Sequence, residues 1–325
     1  MENAVTADIT LDPRLAQRLI EKKDALDLQR PLPTAIVSKL YEDLRIRLTY
    51  HSNAIEGNTL DLGETQLVVA HGITIGGHTV KEHLEAINHA AAYQIMLDLA
   101  GGNAPLDETA VCTLHAAVGT SLIENPGMYR QGAVYISGSE HRPPPTREVP
   151  GLVHNLFLWI KDDGQAYPPI IRAALTHEML LAIHPFMDGN GRTARLILNL
   201  QLMRDGYPAA LLLANWRPRY IQALERAHFG EYGPLATVIG RAVEAGLDMF
   251  LEACAAVPEA LQQPLAEIAA LCEIKPDYLG WLLREGRIAG QKRRGRWYTS
   301  EEAVRRYQRE VAEGVIPMGR PRGES

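Results

Sequence analysis

The sequence predicts a mainly α protein, and three observations predict it. Apolar residues recur with a helical period over long windows, as at Val37, Leu40, Tyr41, Leu44 and Leu48. Proline and glycine stand between such windows, at Pro31-Leu32-Pro33, Gly101-Gly102, Pro126-Gly127, Pro168-Pro169 and Gly206 to Pro208. Strand-like stretches are confined to two short places, around 134–138 and 295–299.

At 325 residues, with 46% apolar and only 6% aromatic composition, the chain is long enough for one large domain and something small beside it. A net charge of −6 argues against general affinity for nucleic acid or membrane, though not against a local basic patch. Cys112, Cys254 and Cys272 are few, odd in number and without C-x-x-C spacing, which points to a reducing compartment, the cytoplasm, and to no structural zinc. Met1 to Ala4 carries neither basic residues nor an apolar run, so neither a signal peptide nor a membrane span is expected.

In chain order, Asp12 to Gln29 reads as a short helix before the Pro31-Leu32-Pro33 hinge, and the periodic run from Thr34 to Tyr50 as a longer one. Ser52 to Asn58 is a helix end with Gly57 as its left-handed cap. Glu56 is anomalous there, because a carboxylate in the last turn faces the negative end of the helix dipole, so an external cation is expected. The 101–106 stretch is a turn between helices. Val134 to Gly138 shows β alternation with a glycine turn, followed by Pro143-Pro144-Pro145, and reads as a hairpin. Tyr167 to Ile183 is a buried helix with proline in its first turn, and the run from Leu196 to Met203 is a second.

Between those two helices lies His184-Pro185-Phe186-Met187-Asp188-Gly189-Asn190-Gly191-Arg192-Thr193-Ala194-Arg195. Gly189 and Gly191 allow close backbone approach, and the following helix offers unpaired N–H groups to an anion, so the loop reads as a phosphate cradle. Arg192 and Arg195, three apart, are expected to reach successive phosphates. Asp188 is a hard oxygen donor for Mg²⁺, and His184 a base that works near neutral pH. No Gly-Lys-Ser/Thr is present, which excludes a Walker loop.

This run matches H-x-F-x-[DE]-G-N-G-R-x-x-R, and the chain resembles the Fic-domain proteins. The resemblance implies a Fic helical core with a β-hairpin flap, and adenylyl transfer from ATP with Mg²⁺ to a Ser, Thr or Tyr hydroxyl. It makes His184 the base and Asp188 the metal ligand, and Phe186 an apolar anchor beside the nucleotide-holding residues. Gly189, Asn190, Gly191, Arg192 and Arg195 then hold the phosphates. Ser52 to Gly57 is similar to the family's [ST]-x-x-x-E-[GN] inhibitory motif, which implies that Glu56 pairs with Arg195, with Ser52 and Gly57 completing the motif. In relatives the same glutamate serves removal of AMP. Val134, Tyr135 and Ile136 would form the target-docking flap, and Tyr220 and His228 the nucleobase pocket, with Tyr220 stacked on adenine.

The other histidines, among them His51, His89, His115, His141 and His177, show no metal-ligand spacing and read as surface or core residues. From Pro258 the composition shifts. Leu265 to Ala269, Tyr278 to Leu283, Gly295 to Thr299 and the Ser300-capped last helix together resemble an excisionase-type winged helix-turn-helix, locally basic at Arg293, Arg294 and Arg296. The expected organisation is an N-terminal extension over 1–33, a Fic domain over 34–257 with its inhibitory helix at about 34–58, and the C-terminal module over 258–325. The implied partners are ATP, a protein substrate, a second copy of the chain, and DNA or protein at the C-terminal module. The rival reading is a DNA-binding regulator whose core only senses nucleotide.

Overall fold

The computed structural model describes residues 9–32, 34–256, 263–284, 287–288, 290–293 and 295–312. It separates into two compact units, residues 1–30 with 38–250, and residues 31–37 with 251–325. Among the described residues no helix is long and apolar enough to cross a membrane.

Among the described residues ten α-helices build or enter the first unit: α1 (Pro13–Asp27), α2 (Thr34–Ile55), α3 (Leu62–His71), α4 (Val80–Gly101), α5 (Glu108–Gly119), α6 (Val149–Lys161), α7 (Pro169–Ile183), α8 (Asn190–Arg204), α9 (Arg217–His228) and α10 (Gly233–Ala256). Their starts are chemical. Asp61 and Thr79 each close a capping box, with Glu64 and Glu82 respectively, and Asp12 and Asp107 accept from first-turn amides. The centre is α4 and α5 packed on the α7–α8 pair. Because α7 and α8 are buried on nearly every side, they have no polar face and read as core helices. Arg172 is tolerated in that core because both Asp205 oxygens accept from Nη2, at 2.7 and 2.8 Å.

The first helix is part of this unit and not a detached extension. Leu15, Leu19 and Leu26 are buried, and Arg18 and Lys22 reach Glu244 on α10 at 2.7 and 2.9 Å. The expected flap hairpin is corrected. Residues 129–145 contain no strand, although Val134 and Ile136 alternate in exposure with Tyr135 as a strand would. A lone ribbon needs a partner for its ladder, and here side chains hold the segment instead. Arg130 donates to the carbonyls of His184, Gly132 and Pro144 and to Thr146 Oγ1, while Glu225 accepts from Ser139 Oγ and from the Glu140 amide.

In the second unit α11 (Leu265–Leu271), α12 (Pro276–Arg284) and α13 (Glu301–Ala312) accompany three short strands, β1 (Gln263–Pro264), β2 (Gly290–Arg293) and β3 (Arg296–Thr299). The sheet order is β1-β3-β2, both pairs antiparallel, and Gly295 at φ +81° makes the β2–β3 turn. Ile268, Leu279, Leu282, Ile288, Val304 and Tyr307 form its core. Lys292 and Arg296 are exposed on the hairpin, while Arg294 lies outside the described residues.

Candidate active site

The loop between α7 and α8 is shaped before any ligand is considered. His184 ends α7 in the left-handed region (φ 51°, ψ 59°), and Gly189 enters α8 from the same region at φ +78°. Between them Phe186 is fully buried and stacked on His115, ring centroids 3.6 Å apart. His115 accepts from the Gly127 amide at Nδ1 and donates from Nε2 to the Asp188 carbonyl, so the network fixes its tautomer and ties α5 to the loop. Asn190 spends its side chain on Phe186, donating to its carbonyl and accepting from its amide, each at 2.9 Å. Phe186 and Asn190 therefore shape the cradle from beneath, and for Asn190 this replaces the expected contact of its side chain with phosphate.

No side chain caps α8, which leaves the first-turn N–H groups of an N-terminus pointing at the cleft. A Cβ on Gly191 would collide with Glu56 Oε1 and stand 3.2 Å from Arg195 Nη1, so glycine is required for the carboxylate to lie where it does. Arg195 is buried and donates to Ser52 Oγ (2.9 Å), the Ser52 carbonyl (2.8 Å) and Glu56 Oε1 (2.7 Å). Glu56 follows the last residue of α2, with Gly57 at φ +100° turning the chain away. The end of α2 is pinned from two sides. Asn53 and Asn58 donate to the Glu85 carbonyl and carboxylate on α4, and Arg217 Nε donates to the Ile55 carbonyl at 2.7 Å.

Arg192 is corrected. Its guanidinium is buried against Glu85, 3.1 Å away, and stands 3.6 Å from Asp188, so it ties α8 to α4 instead of sharing the cleft with Arg195. Three residues turn a helix by about 300°, enough for neighbouring helices to divide the pair between them. Asp188 is 62% exposed and uses Oδ1 for the Gly189 amide.

His184 lies across the cleft. Its Nδ1 donates to the Leu181 carbonyl at 3.2 Å, which leaves Nε2 as the acceptor. Burial lowers its pKa from the ordinary value, so the imidazole is neutral at neutral pH. The cleft, about 180 Å³, is lined by Glu56, Ile136, His184, Gly191, Arg195 and, on α9, by Arg217, Tyr220, Ile221, Leu224, Glu225 and His228. Tyr220 is corrected on the same grounds. It is 1% exposed and belongs with Ala223 and Ala227 on the core side of α9, its hydroxyl 2.8 Å from His177 Nε2, so little of its ring is open for the expected stack on adenine. Ile221, one position on, lines the same cleft and is 42% exposed. His228 is in the cleft wall, paired with Glu178 at 2.9 Å and stacked on His141.

Glu85, Arg130, Arg217 and Glu225 are contributors the sequence reading does not assign. Only Glu225 leaves a local signal, being i+4 from Ile221 and i+1 from Leu224 on the cleft face. Among the described residues no group of three His, Cys, Asp or Glu could hold a metal.

Residues 105–202 match the family model described as the Fic/DOC family. The chain is 32% identical over 259 residues to the protein adenylyltransferase Fic of Drosophila virilis, covering 78% of this chain and 53% of that protein. It is 32% identical over 245 residues to the protein of the same name from Aedes aegypti, covering 74% and 48%. The chain thus spans about half the length of these curated relatives. Among solved structures, a segment of Fic-1 from C. elegans superposes with TM-score 0.67 at 29% identity, over 75% of this chain and 73% of that one. A Fic family protein from Desulfovibrio desulfuricans G20 reaches TM-score 0.63 at 22% identity over 91% of this chain and 98% of that one, a likeness of fold alone.

Proposed function

From the match of residues 105–202 to the Fic/DOC family model we propose that the chain is a self-inhibited protein adenylyltransferase acting on ATP and on a Ser, Thr or Tyr hydroxyl of a target and of itself. The observation that carries the reading is the Glu56 carboxylate, bonded to Arg195 over Gly191 at the uncapped start of α8. An anion already sits where a phosphate would be bound, and it belongs to the chain itself.

In transfer, the hydroxyl oxygen attacks the α-phosphorus, the bond to the β-phosphate oxygen breaks, and pyrophosphate leaves. His184 Nε2 takes the hydroxyl proton, its neutral state secured by burial. The α8 amides and Arg195 neutralise the phosphates once Glu56 has moved. Asp188 fits Mg²⁺, since that ion is held by one or two carboxylates plus phosphates and water, and a mostly exposed carboxylate with Oδ2 uncommitted meets this need. When bound, the ion supplies charge neutralisation to the phosphates. Removal of AMP uses the same side chains in the opposite sense: Glu56 orients a water and takes its proton as the water oxygen attacks phosphorus, the bond from phosphorus to the side-chain oxygen breaks, and His184 in its Nε2-protonated form gives its proton to the departing hydroxyl, leaving free AMP.

The test is incubation with labelled ATP and Mg²⁺, wild type beside Glu56→Gly. Label should enter protein in the variant and scarcely in wild type, and modified protein should lose AMP to wild type but not to the variant. Equal labelling of the two sinks the inhibitory reading, and equal AMP release sinks the removal step. A second reading, a DNA-binding regulator that only senses nucleotide, is favoured by Lys292 and Arg296 exposed on the β2–β3 hairpin. Salt-sensitive duplex binding without transfer by either form would establish it.

A further inference from the structure

Helix α9 has a third face, turned away from the His184 cleft and bordering the core at Ala223. Arg219, Gln222, Ala223 and Arg226 fall at i, i+3, i+4 and i+7, a single stripe along the helix. On α10, Pro234, Thr237, Val238 and Arg241 repeat the same spacing. The two stripes line one cleft of about 370 Å³. Its floor, Ala223 and Val238, is buried and belongs to the packed core, so the arginines stand on two rigid helices.

Three guanidiniums share one concavity in a chain of net charge −6. Arg226 is partly answered by Glu231 at 2.9 Å from its Nε. Arg219 and Arg241 have no carboxylate partner among the described residues. Like charges gathered without counter-charge repel, and the repulsion is relieved by an anion. Size and spacing indicate which anion. A volume of 370 Å³ lies within the range of small-ligand sites, roughly 300–1,000 Å³. From Arg219 to Arg226 the helix rises about 10 Å, so the forks are strung out along a line and do not converge on a point. Arginine forks bind phosphate oxygens in pairs, and a row of them suits a chain of linked phosphates better than one.

We propose that the cleft between α9 and α10 binds a polyphosphate group, either free or as the tail of a nucleotide. The site is separate from the His184 cleft, which is reached from the opposite face of α9, and it does not depend on the catalytic reading.

The experiment is calorimetric titration of the full chain with inorganic tripolyphosphate at low salt. The background is Arg195→Ala, which weakens the phosphate cradle at α8. A site should persist in that background, and adding Arg219→Gln with Arg241→Gln should weaken it by about 10-fold or more per arginine. Both side chains are exposed, so the melting temperature should be unchanged, which separates lost binding from lost folding. Tighter binding of ATP than of tripolyphosphate in the Arg195→Ala background identifies a nucleotide as the ligand, and equal affinity identifies the phosphate chain. No binding in that background, or undiminished binding after the glutamine pair, overturns the proposal. Full recovery with Arg219→Lys and Arg241→Lys also overturns it, because a diffuse basic surface needs charge but no forks.

Discussion

Replacing Glu56 by glycine should loosen the protein and tighten its hold on ATP, and both effects can be worked from the Arg195 clamp. Arg195 is 6% exposed and keeps two bonds to Ser52 after the substitution, but it loses the one charged partner it has among the described residues. Breaking a fully buried pair costs about 3–5 kcal/mol, whereas an exposed pair is worth about 0–1 kcal/mol. Glu56 is 38% exposed, so the loss falls between these limits, about 1–2 kcal/mol. Relief of the carboxylate at the end of α2 returns a few tenths of a kcal/mol. For a unit of this size each kcal/mol moves the midpoint by roughly 2–4 °C, so Glu56→Gly should melt about 1–7 °C below wild type. The same 1–2 kcal/mol no longer opposes the nucleotide, so half-maximal stabilisation should need roughly 5- to 30-fold less ATP in the variant. Scanning calorimetry across an ATP series measures both. Coincident melting and superimposable ATP curves would refute the clamp.

His184→Ala should abolish transfer in the Glu56→Gly background while the ATP-induced shift in melting survives, and loss of both would reassign His184 to nucleotide binding. Because burial lowers the pKa of His184, the base stays neutral below the ordinary histidine range, and the rate of Glu56→Gly should fall only at pH clearly under 6.5, as a pH–rate profile would show. Arg217→Ala frees the Ile55 carbonyl and should raise transfer by wild type roughly 2- to 10-fold, with no gain in the Glu56→Gly background. Equal effects in both backgrounds would show that Arg217 acts on substrate. Burial holds His89 and His177 at about 3, so the unfolded chain takes up their protons first. Their contribution to stability is complete above pH 6.5 and lost as pH falls from there toward about 3, and a midpoint insensitive to pH in that window would contradict it.

Much of the site is legible because it is contiguous. His184, the two glycines and Arg195 sit within twelve positions, and the α7 and α8 windows on either side announce themselves by period and by Pro169 and Gly206. Glu56 is legible by being misplaced. Facing is harder. Tyr220 and Ile221 differ by one residue, which on a helix is about 100° of rotation, and only the packing of α9 decides that Ile221 stands exposed at the cleft while Tyr220 lines it from the core. Arg192 is drawn away by Glu85, a partner remote in sequence with nothing local to signal it. The 134–138 alternation correctly gives inward and outward positions, yet whether a ladder forms depends on a partner strand that the sequence cannot display. Helices α3, α6 and α10 lie outside the sequence reading, although Val149, Val153, Leu156, Phe157 and Ile160 on α6 keep a helical spacing that could have been read.

Two helix ends of opposite polarity meet at one carboxylate. The C-terminus of α2 repels the charge of Glu56, and the uncapped N-terminus of α8, with Arg195 behind it, attracts that charge. Glu56 is therefore held by the far helix more than by its own, and what fixes its position is the pinning of α2 by Asn53, Asn58 and Arg217. An anion arriving at α8 competes for the same donors and does not need to unfold α2; it needs only the Glu56 side chain to swing clear, because Gly191 presents no Cβ to obstruct it and Gly57 leaves the chain free to turn. Restraint of this kind is graded. Its strength is the difference between two anions at one helix start, so a contact that shifts the end of α2 resets it without touching His184 or the loop between α7 and α8.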